Sequence, residues 1–140
     1  MMWKMVFRVL PFLYMGVIWT LSSFPANAVV ELTDLSLDRF IKESMHLIEF
    51  AILYLLFVFG IHTTKIPFTK KVNLVCAVIA CFYGITDEIH QSFVPARSAT
   101  LIDVVKDVTG VAVCWYFIDR ASFNKRFSKI SSFLRFLKRV

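Results

Sequence analysis

Four long apolar stretches constrain this chain more than any other feature. Of its 140 residues, 58% are hydrophobic and 19% are charged. An α-helix needs about 20 mostly apolar residues to cross a bilayer, and a backbone within lipid must satisfy its own hydrogen bonds. The sequence therefore predicts an all-α fold, a four-helix transmembrane bundle. Its predicted spans are Met5–Ser23, Met45–Ile61, Val72–Gln91 and Leu101–Ile118.

One alternative is a soluble bundle with buried helices, but such helices need a polar outer face. We expect residues 1–119 to form one four-span membrane domain and residues 120–140 to form a separate tail. A second alternative concerns the first span. A basic start and an apolar run precede Pro25, Ala26, Asn27 and Ala28, and an A-x-A ending of this kind resembles a signal-peptidase site. The length of the apolar run favours a retained span.

The cations of the chain alternate with its acidic segments. Lys and Arg residues precede or open the first span, lie between the second span and the third, and fill the tail. By contrast, the first connection carries Glu31, Asp34, Asp38 and Glu43, and Arg97 is the one cation of the third connection. Segments rich in Lys and Arg stay in the cytoplasm. We therefore predict cytoplasmic N- and C-termini and a multi-pass protein of the inner cell membrane.

The tail combines many cations with one apolar stripe. This pattern predicts a basic amphipathic helix that lies on the cytoplasmic leaflet, with membrane lipids as its partner. Nucleic acid is not an expected partner, because the stripe is too apolar. The stripe consists of Phe123, Phe127, Ile130, Leu134 and Leu137.

The third connection and the spans beside it contain the side chains best suited to chemistry. Residues 86–103 read T-D-E-I-H-Q-S-F-V-P-A-R-S-A-T-L-I-D. Ionisable groups at a bilayer edge are costly and usually functional. The predicted topology brings the start of the second span to the same outer surface. The candidate site residues are therefore His46, Glu49, Asp87, Glu88, His90, Gln91, Arg97 and Asp103.

Several uses of these residues are open. In a binding site, Arg97 would hold a phosphate or carboxylate through two hydrogen bonds. In an enzyme, Glu88 and His90 would act as catalytic acid and base. In a purely structural cluster, Arg97 would pair with Glu88 or Asp103, and the histidines would hydrogen-bond the other carboxylates, so that three helix ends are locked together. His46 and His90 with two carboxylates could also bind zinc or manganese, but no tight ligand spacing supports this, so we predict no metal and no cofactor.

Four motifs together resemble those of a known family. L-S-S-F-P, residues 21–25, is similar to S-S-x-P, and K-E-S-M-H-L-I-E-F, residues 42–50, to K-x-x-x-H-x-x-E-Y. D-E-I-H-Q-S-F-V-P-A-R, residues 87–97, is similar to D-E-x-H-Q-x-F-x-P-G-R, with Ala96 in place of glycine. Asp103, Asp107 and Gly110 match D-x-x-x-N-x-x-G, with an aspartate in place of asparagine. These are the motifs of the VanZ-like family of small bacterial membrane proteins.

The resemblance implies the fold and an integral membrane protein; from the residues we form the hypothesis that an outward-facing polar pocket binds an anionic envelope component. Such a component would be a lipid head group, a lipid-linked cell-wall precursor or a lipoglycopeptide. The family takes its name from a member associated with teicoplanin resistance, so a link to glycopeptide resistance is an expectation as well. The alternative is a membrane-embedded hydrolase or transferase that acts on a lipid-linked substrate through Glu88 and His90.

Overall fold

Five α-helices make up the secondary structure of the described residues. The computed structural model describes residues 2–25, 35–95, 97, 99–124 and 126–139, without the side chains of residues 35–43 and 139. Residues 26–28, where a signal-peptidase site was considered, lie outside these ranges. The helices confirm the all-α class; they are α1 Met2–Ser22, α2 Leu35–His62, α3 Lys70–Gln91, α4 Leu101–Phe123 and α5 Ser128–Arg139.

Threonine side chains cap the starts of α3 and α4. The Thr69 hydroxyl accepts a hydrogen bond from the backbone N–H of Val72 at 3.2 Å and caps α3. The Thr100 hydroxyl accepts one from the N–H of Asp103 at 3.3 Å and caps α4. A capping side chain satisfies one of the backbone donors that a helix leaves free at its start. The carboxylate of Asp103 in the first turn also complements the helix dipole.

Helix α2 lies at the centre of the bundle. It packs most extensively against α4 and also contacts α1, α3 and α5. Its side chains Phe50, Leu53, Tyr54 and Val58 are fully buried. The Tyr54 hydroxyl donates a 2.6 Å hydrogen bond to Oδ1 of Asn73 on α3, so a polar contact within the core joins the two helices.

Glycines allow two close helix crossings. A Cβ atom on Gly110 of α4 would lie 1.8 Å from the backbone oxygen of Leu47 on α2. A Cβ on Gly60 would lie 3.0 Å from the backbone oxygen of Phe7 on α1. Small residues at helix interfaces permit this kind of backbone approach in membrane proteins. The Gly110 contact draws the start of α4 against the part of α2 that carries the candidate site residues.

Three helical segments of the described chain are long and apolar enough to cross a membrane: Met2–Ser22, Ser44–His62 and Lys70–Gln91. Helix α4 has 23 residues but carries Asp103, Lys106 and Asp107 in its first two turns, so its passage through the membrane stays a prediction. Large apolar side chains such as Phe82, 67% exposed, cover the outside of the bundle. A soluble monomer rarely exposes so much apolar surface, which disfavours the soluble alternative.

The C-terminal helix differs from its expected packing. Helix α5 begins at Ser128, and α4 continues to Phe123, so residue 120 lies inside α4. Leu134 and Leu137, which belong to the predicted lipid-facing stripe, are 4% and 3% exposed and join the core of the bundle. Phe136 is 60% exposed instead. The part of the stripe formed by Leu134 and Leu137 therefore packs on the bundle, whereas Phe127 is 44% exposed.

Candidate functional site

The candidate residues collect at one end of the bundle, where α1 and α3 end and α4 begins. We call it the polar end. Ser22, Asp87, Gln91 and Arg97 form a continuous hydrogen-bonded chain there, which we call the clasp. The Ser22 hydroxyl donates to Oδ2 of Asp87 at 2.8 Å, and Nε2 of Gln91 donates to the same oxygen at 2.6 Å. Nη1 of Arg97 then donates to Oε1 of Gln91 at 3.0 Å.

The clasp joins α1 to α3 through buried groups. The side chains of Ser22, Asp87 and Gln91 are almost fully buried. The Gln91 amide donates toward the carboxylate and accepts from the guanidinium, which fits the polarity of its two ends. A buried carboxylate is tolerated when hydrogen bonds and an opposite charge compensate it. Here the positive charge of Arg97 compensates the negative charge of Asp87 indirectly, because the Gln91 amide is hydrogen-bonded to both.

The guanidinium of Arg97 is held by neutral acceptors. Besides the Gln91 contact, Nε donates to the backbone oxygen of Phe24 at 2.9 Å, and Nη2 donates to that of Leu21 at 2.8 Å. Within the described ranges Arg97 forms no ion pair with a carboxylate, so the structural alternative of an Arg97 pair with Glu88 or Asp103 is not observed. A guanidinium has five N–H donors, and two remain for a ligand.

A second group, the histidine–carboxylate cluster, consists of His46, Glu88 and Asp107. Nδ1 of His46 on α2 lies 3.4 Å from Oε1 of Glu88 on α3 and 3.5 Å from Oδ1 of Asp107 on α4. Both carboxylates are nearly inaccessible, while the imidazole is partly exposed. One histidine therefore lies between two buried acids, with one residue each from α2, α3 and α4, in an arrangement that could bind a cation or transfer a proton.

His90 lies away from this cluster. Its Nε2 lies 3.0 Å from the Ser23 hydroxyl, and its ring stacks on the Trp19 ring at a centroid distance of 4.0 Å. Asp87 and Glu88 are adjacent in sequence, but they contact different partners. The structure thus brings Glu88 together with His46 rather than with His90, and it places His90 at the surface of α1.

The two remaining candidates also lie at the polar end. Asp103 accepts hydrogen bonds from the Thr100 hydroxyl at 2.7 Å and from Nζ of Lys106 at 3.0 Å, so its carboxylate is already paired. Glu49 is half-buried on α2 and close enough to Asp87, His46 and Arg97 for their charges to act on it. Glu49 therefore lies between the clasp and the cluster.

Sequence reasoning missed three contacts that α1 supplies to the site. Ser22 binds Asp87, Ser23 binds His90, and Trp19 stacks on His90. It also left Asp107 out of the candidate site residues, although this aspartate lies one turn beyond Asp103. The S-S pair at the end of the first apolar stretch was the available signal, because the predicted topology ends that stretch beside Asp87.

The chain matches the sequence model of the VanZ/LLP1 family over residues 3–121. It belongs to this family, as its motifs indicated. The match includes both the clasp and the histidine–carboxylate cluster and ends near the end of α4. No curated protein and no solved structure matches the chain.

Proposed function

We propose that this VanZ-family protein binds the anionic group of an envelope component at the polar end of its bundle. The polar end would face away from the cytoplasm, and the ligand would be a lipid head group, a lipid-linked cell-wall precursor or a lipoglycopeptide. The observation that carries the proposal is the setting of Arg97. Its guanidinium is fixed by three neutral acceptors, and among the residues that the structure describes no carboxylate contacts it to neutralise its charge.

The setting of Arg97 suits a phosphate ligand for two reasons. Its orientation is fixed before any ligand arrives, so binding loses little side-chain freedom. Its free N–H groups can form charge-assisted hydrogen bonds, which are about twice as strong as neutral ones. His90 adds a second donor, because Ser23 and Trp19 hold its ring in place. His46, Glu49, Asp87, Gln91 and Asp103 would orient these groups.

The opposite, basic end of the bundle supports the orientation. Arg8 donates to Thr63 there, and Lys70 lies over the ring of Phe123. Arg135 and Lys138 of α5 line a cavity at the same end. Because cationic segments stay in the cytoplasm, the polar end would face the outer side of the inner membrane, where envelope precursors are used.

Binding of short-chain phosphatidylglycerol to the detergent-solubilised protein tests the proposal. Zwitterionic phosphatidylcholine of the same chain length serves as the reference lipid. Arg97→Lys keeps a positive charge but loses the planar fork, and we expect its affinity for phosphatidylglycerol to fall by about 10-fold or more, since a hydrogen bond to a charged group contributes about 1.5–3 kcal/mol. Thermal unfolding of both proteins shows whether the variant is folded.

Lys106→Met is the matched control for charge. Lys106 is also a cation of the polar end, but its ammonium already pairs with Asp103. We expect this variant to bind phosphatidylglycerol as the unaltered protein does. Equal binding of the two lipids, or equal weakening by the two substitutions, would contradict a site centred on Arg97.

A teicoplanin phenotype is a separate test of the lipoglycopeptide ligand. Expression of the chain in a susceptible bacterium should raise the inhibitory concentration of teicoplanin. Arg97→Ala should abolish that rise without changing the abundance of the protein in the membrane. A variant that disappears from the membrane would instead indicate a structural role for Arg97.

A second candidate function is a hydrolase or transferase acting on a lipid-linked substrate. The 3.4 Å contact between His46 and Glu88 favours it, because a base held by a carboxylate is a common arrangement for proton transfer. His46 would then take the role that the sequence assigned to His90. Glu88→Gln should keep ligand binding and abolish turnover. Full activity of this variant would exclude Glu88 as an acid or base.

A further inference from the structure

The histidine–carboxylate cluster contains an unusual concentration of unsatisfied buried groups. The side chains of Glu88 and Asp107 are 5% and 1% exposed. All four of their carboxylate oxygens are inaccessible and lack a hydrogen bond, as does Nδ1 of His46. Buried polar groups in proteins are nearly always hydrogen-bonded. Apart from the contacts of Nδ1 with one oxygen of each acid at 3.4 Å and 3.5 Å, these five atoms have no polar partner among the described residues, so two buried acids share a single imidazole nitrogen.

The charge of the cluster gives the same indication. In the protonation state that binds a metal, with both carboxylates ionised and the imidazole neutral, the three side chains carry a charge of about −2, which is strongly unfavourable away from water unless a cation compensates it. Lys106, the next residue to Asp107, is paired with Asp103 and does not neutralise it. A divalent cation would neutralise the cluster completely.

The spacing of the atoms suits a small metal ion. Zn²⁺ binds His nitrogen and carboxylate oxygen at about 2.0–2.2 Å with tetrahedral geometry, so neighbouring ligand atoms should be about 3.3–3.6 Å apart. Nδ1 of His46 lies 3.4 Å and 3.5 Å from the nearest oxygens of Glu88 and Asp107. One atom from each residue can be chosen so that all three lie within 4.8 Å of one another. The two distances from Nδ1 therefore already match the ligand spacing of a tetrahedral zinc site.

We propose that His46, Glu88 and Asp107 bind one divalent transition-metal ion, best fitted by Zn²⁺. Nδ1 of the imidazole and one oxygen of each carboxylate would be the ligands. Three protein ligands leave a fourth position for water or for an anionic group, as in zinc sites that bind substrates. The site adds to the anion-binding function and does not depend on it, because its ligands come from the cluster and not from Arg97.

The test measures metal on the whole purified chain in detergent. The protein carries a histidine-free affinity tag, is stripped with a chelator, and is titrated with Zn²⁺, Mn²⁺ or Mg²⁺. We expect about one Zn²⁺ per chain, a higher midpoint of thermal unfolding with Zn²⁺, and weaker binding of Mg²⁺, which prefers oxygen ligands. Lipid is absent, so the result is independent of phosphatidylglycerol binding.

Glu88→Gln and Asp107→Asn remove one anionic ligand each and preserve side-chain shape. Each should weaken Zn²⁺ binding by at least about 100-fold, since even outer partners of metal ligands contribute about 10–100-fold. His90→Ala is the matched control, because it removes a histidine of the same end that contacts Ser23 and Trp19. This control should bind Zn²⁺ as the unaltered protein does.

Thermal unfolding of the metal-free variants shows whether they fold. Should they fail to fold, Co²⁺ bound to the unaltered chain provides the deciding measurement, because its visible absorption reports tetrahedral coordination. The proposal is overturned if the unaltered chain takes up neither Zn²⁺ nor Mn²⁺, if Co²⁺ shows no tetrahedral spectrum, or if folded Glu88→Gln and Asp107→Asn bind Zn²⁺ as well as His90→Ala does. In those cases shared protons, not a metal, neutralise the cluster.

Discussion

The absence of a side chain at Gly110 allows the close packing of α2 and α4. A Cβ at this position would meet the backbone oxygen of Leu47 at 1.8 Å, a contact that α2 and α4 can relieve only by moving apart. Gly110→Ala should therefore lower the free energy of unfolding by about 3 kcal/mol or more, at or above the usual cost of overpacking. Thermal unfolding in detergent measures the change.

Gly16→Ala is its matched control. No atom lies within 4 Å of a Cβ at Gly16, and alanine is the better helix former by about 1 kcal/mol. This variant should unfold at the same temperature as the unaltered protein or slightly higher. Similar midpoints for the two glycine variants would contradict the close crossing of α2 and α4.

Substitutions of the two serines at the end of α1 should differ in their effect on stability, because one serine is buried and the other is exposed. The buried Ser22 hydroxyl donates to Asp87, so Ser22→Ala leaves a carboxylate oxygen with one donor fewer. Loss of a buried hydrogen bond to a charged group should destabilise the protein by about 1–3 kcal/mol. Ser23 is exposed, and Ser23→Ala should stay within about 0.5 kcal/mol of the unaltered protein. Equal midpoints of thermal unfolding for the two variants would argue against the clasp.

The sequence predicted which residues meet at the polar end but not how they pair. A four-span topology is enough to bring His46, Glu88 and Arg97 to one surface. The topology cannot predict that Asp87 and Glu88 have different partners. Adjacent residues on a helix point in different directions, so the partner of each depends on which helix packs against its side. The pairing of Asp87 with Ser22 depends on how closely α1 approaches α3; the S-S-x-P motif marks the serines but does not show which acid Ser22 contacts.

The packing of helix α5 on the bundle should contribute to the stability of the protein. Leu134 is 4% exposed and packs in the core, whereas Phe136 on the same helix is 60% exposed. Leu134→Asn should detach α5 and destabilise the bundle by about 2–5 kcal/mol, as large core truncations do. Phe136→Asn is the matched control and should leave thermal unfolding in detergent nearly unchanged. A helix that merely lies on lipid would show the opposite order or no difference in midpoint.

The sequence located the helices well and their ends less well. Apolar length predicted α1 and α3 to within a few residues, since Pro25 and Pro67 lie just outside them. Thr33 and Ser36 are the sequence's candidate caps for a helix that begins in the first connection and runs into the second span, and α2 begins at Leu35, ten residues before that span. For α5, the sequence shows a stripe but cannot show whether lipid or protein covers it.

The bundle has a polar end and a basic end. The number of helices that cross the membrane determines on which side of the membrane each segment lies. Three helices meet the length and hydropathy of a span. Helix α4 has the length, and it runs from the polar end to the basic end between α2 and α3. If α4 crosses the membrane, the α2–α3 connection and α5 share one side. If it does not, α4 lies outside the bilayer on the side of the polar end, where its contacts along α2 would be lost, and α5 is on the opposite side from the α2–α3 connection.

Cysteine labelling in intact cells distinguishes these topologies. Cys76, Cys81 and Cys114 are first replaced by serine or alanine, and single cysteines are then introduced by Phe93→Cys, Lys65→Cys and Ser132→Cys. Phe93 is 81% exposed at the polar end, whereas Lys65 and Ser132 are at the basic end. With four spans, a membrane-impermeant maleimide should label Phe93→Cys in whole cells and the other two only after permeabilisation. Labelling of Ser132→Cys from outside, with Lys65→Cys still protected, would show that α4 does not cross and that cations of α5 face outward, against the rule that retains them in the cytoplasm.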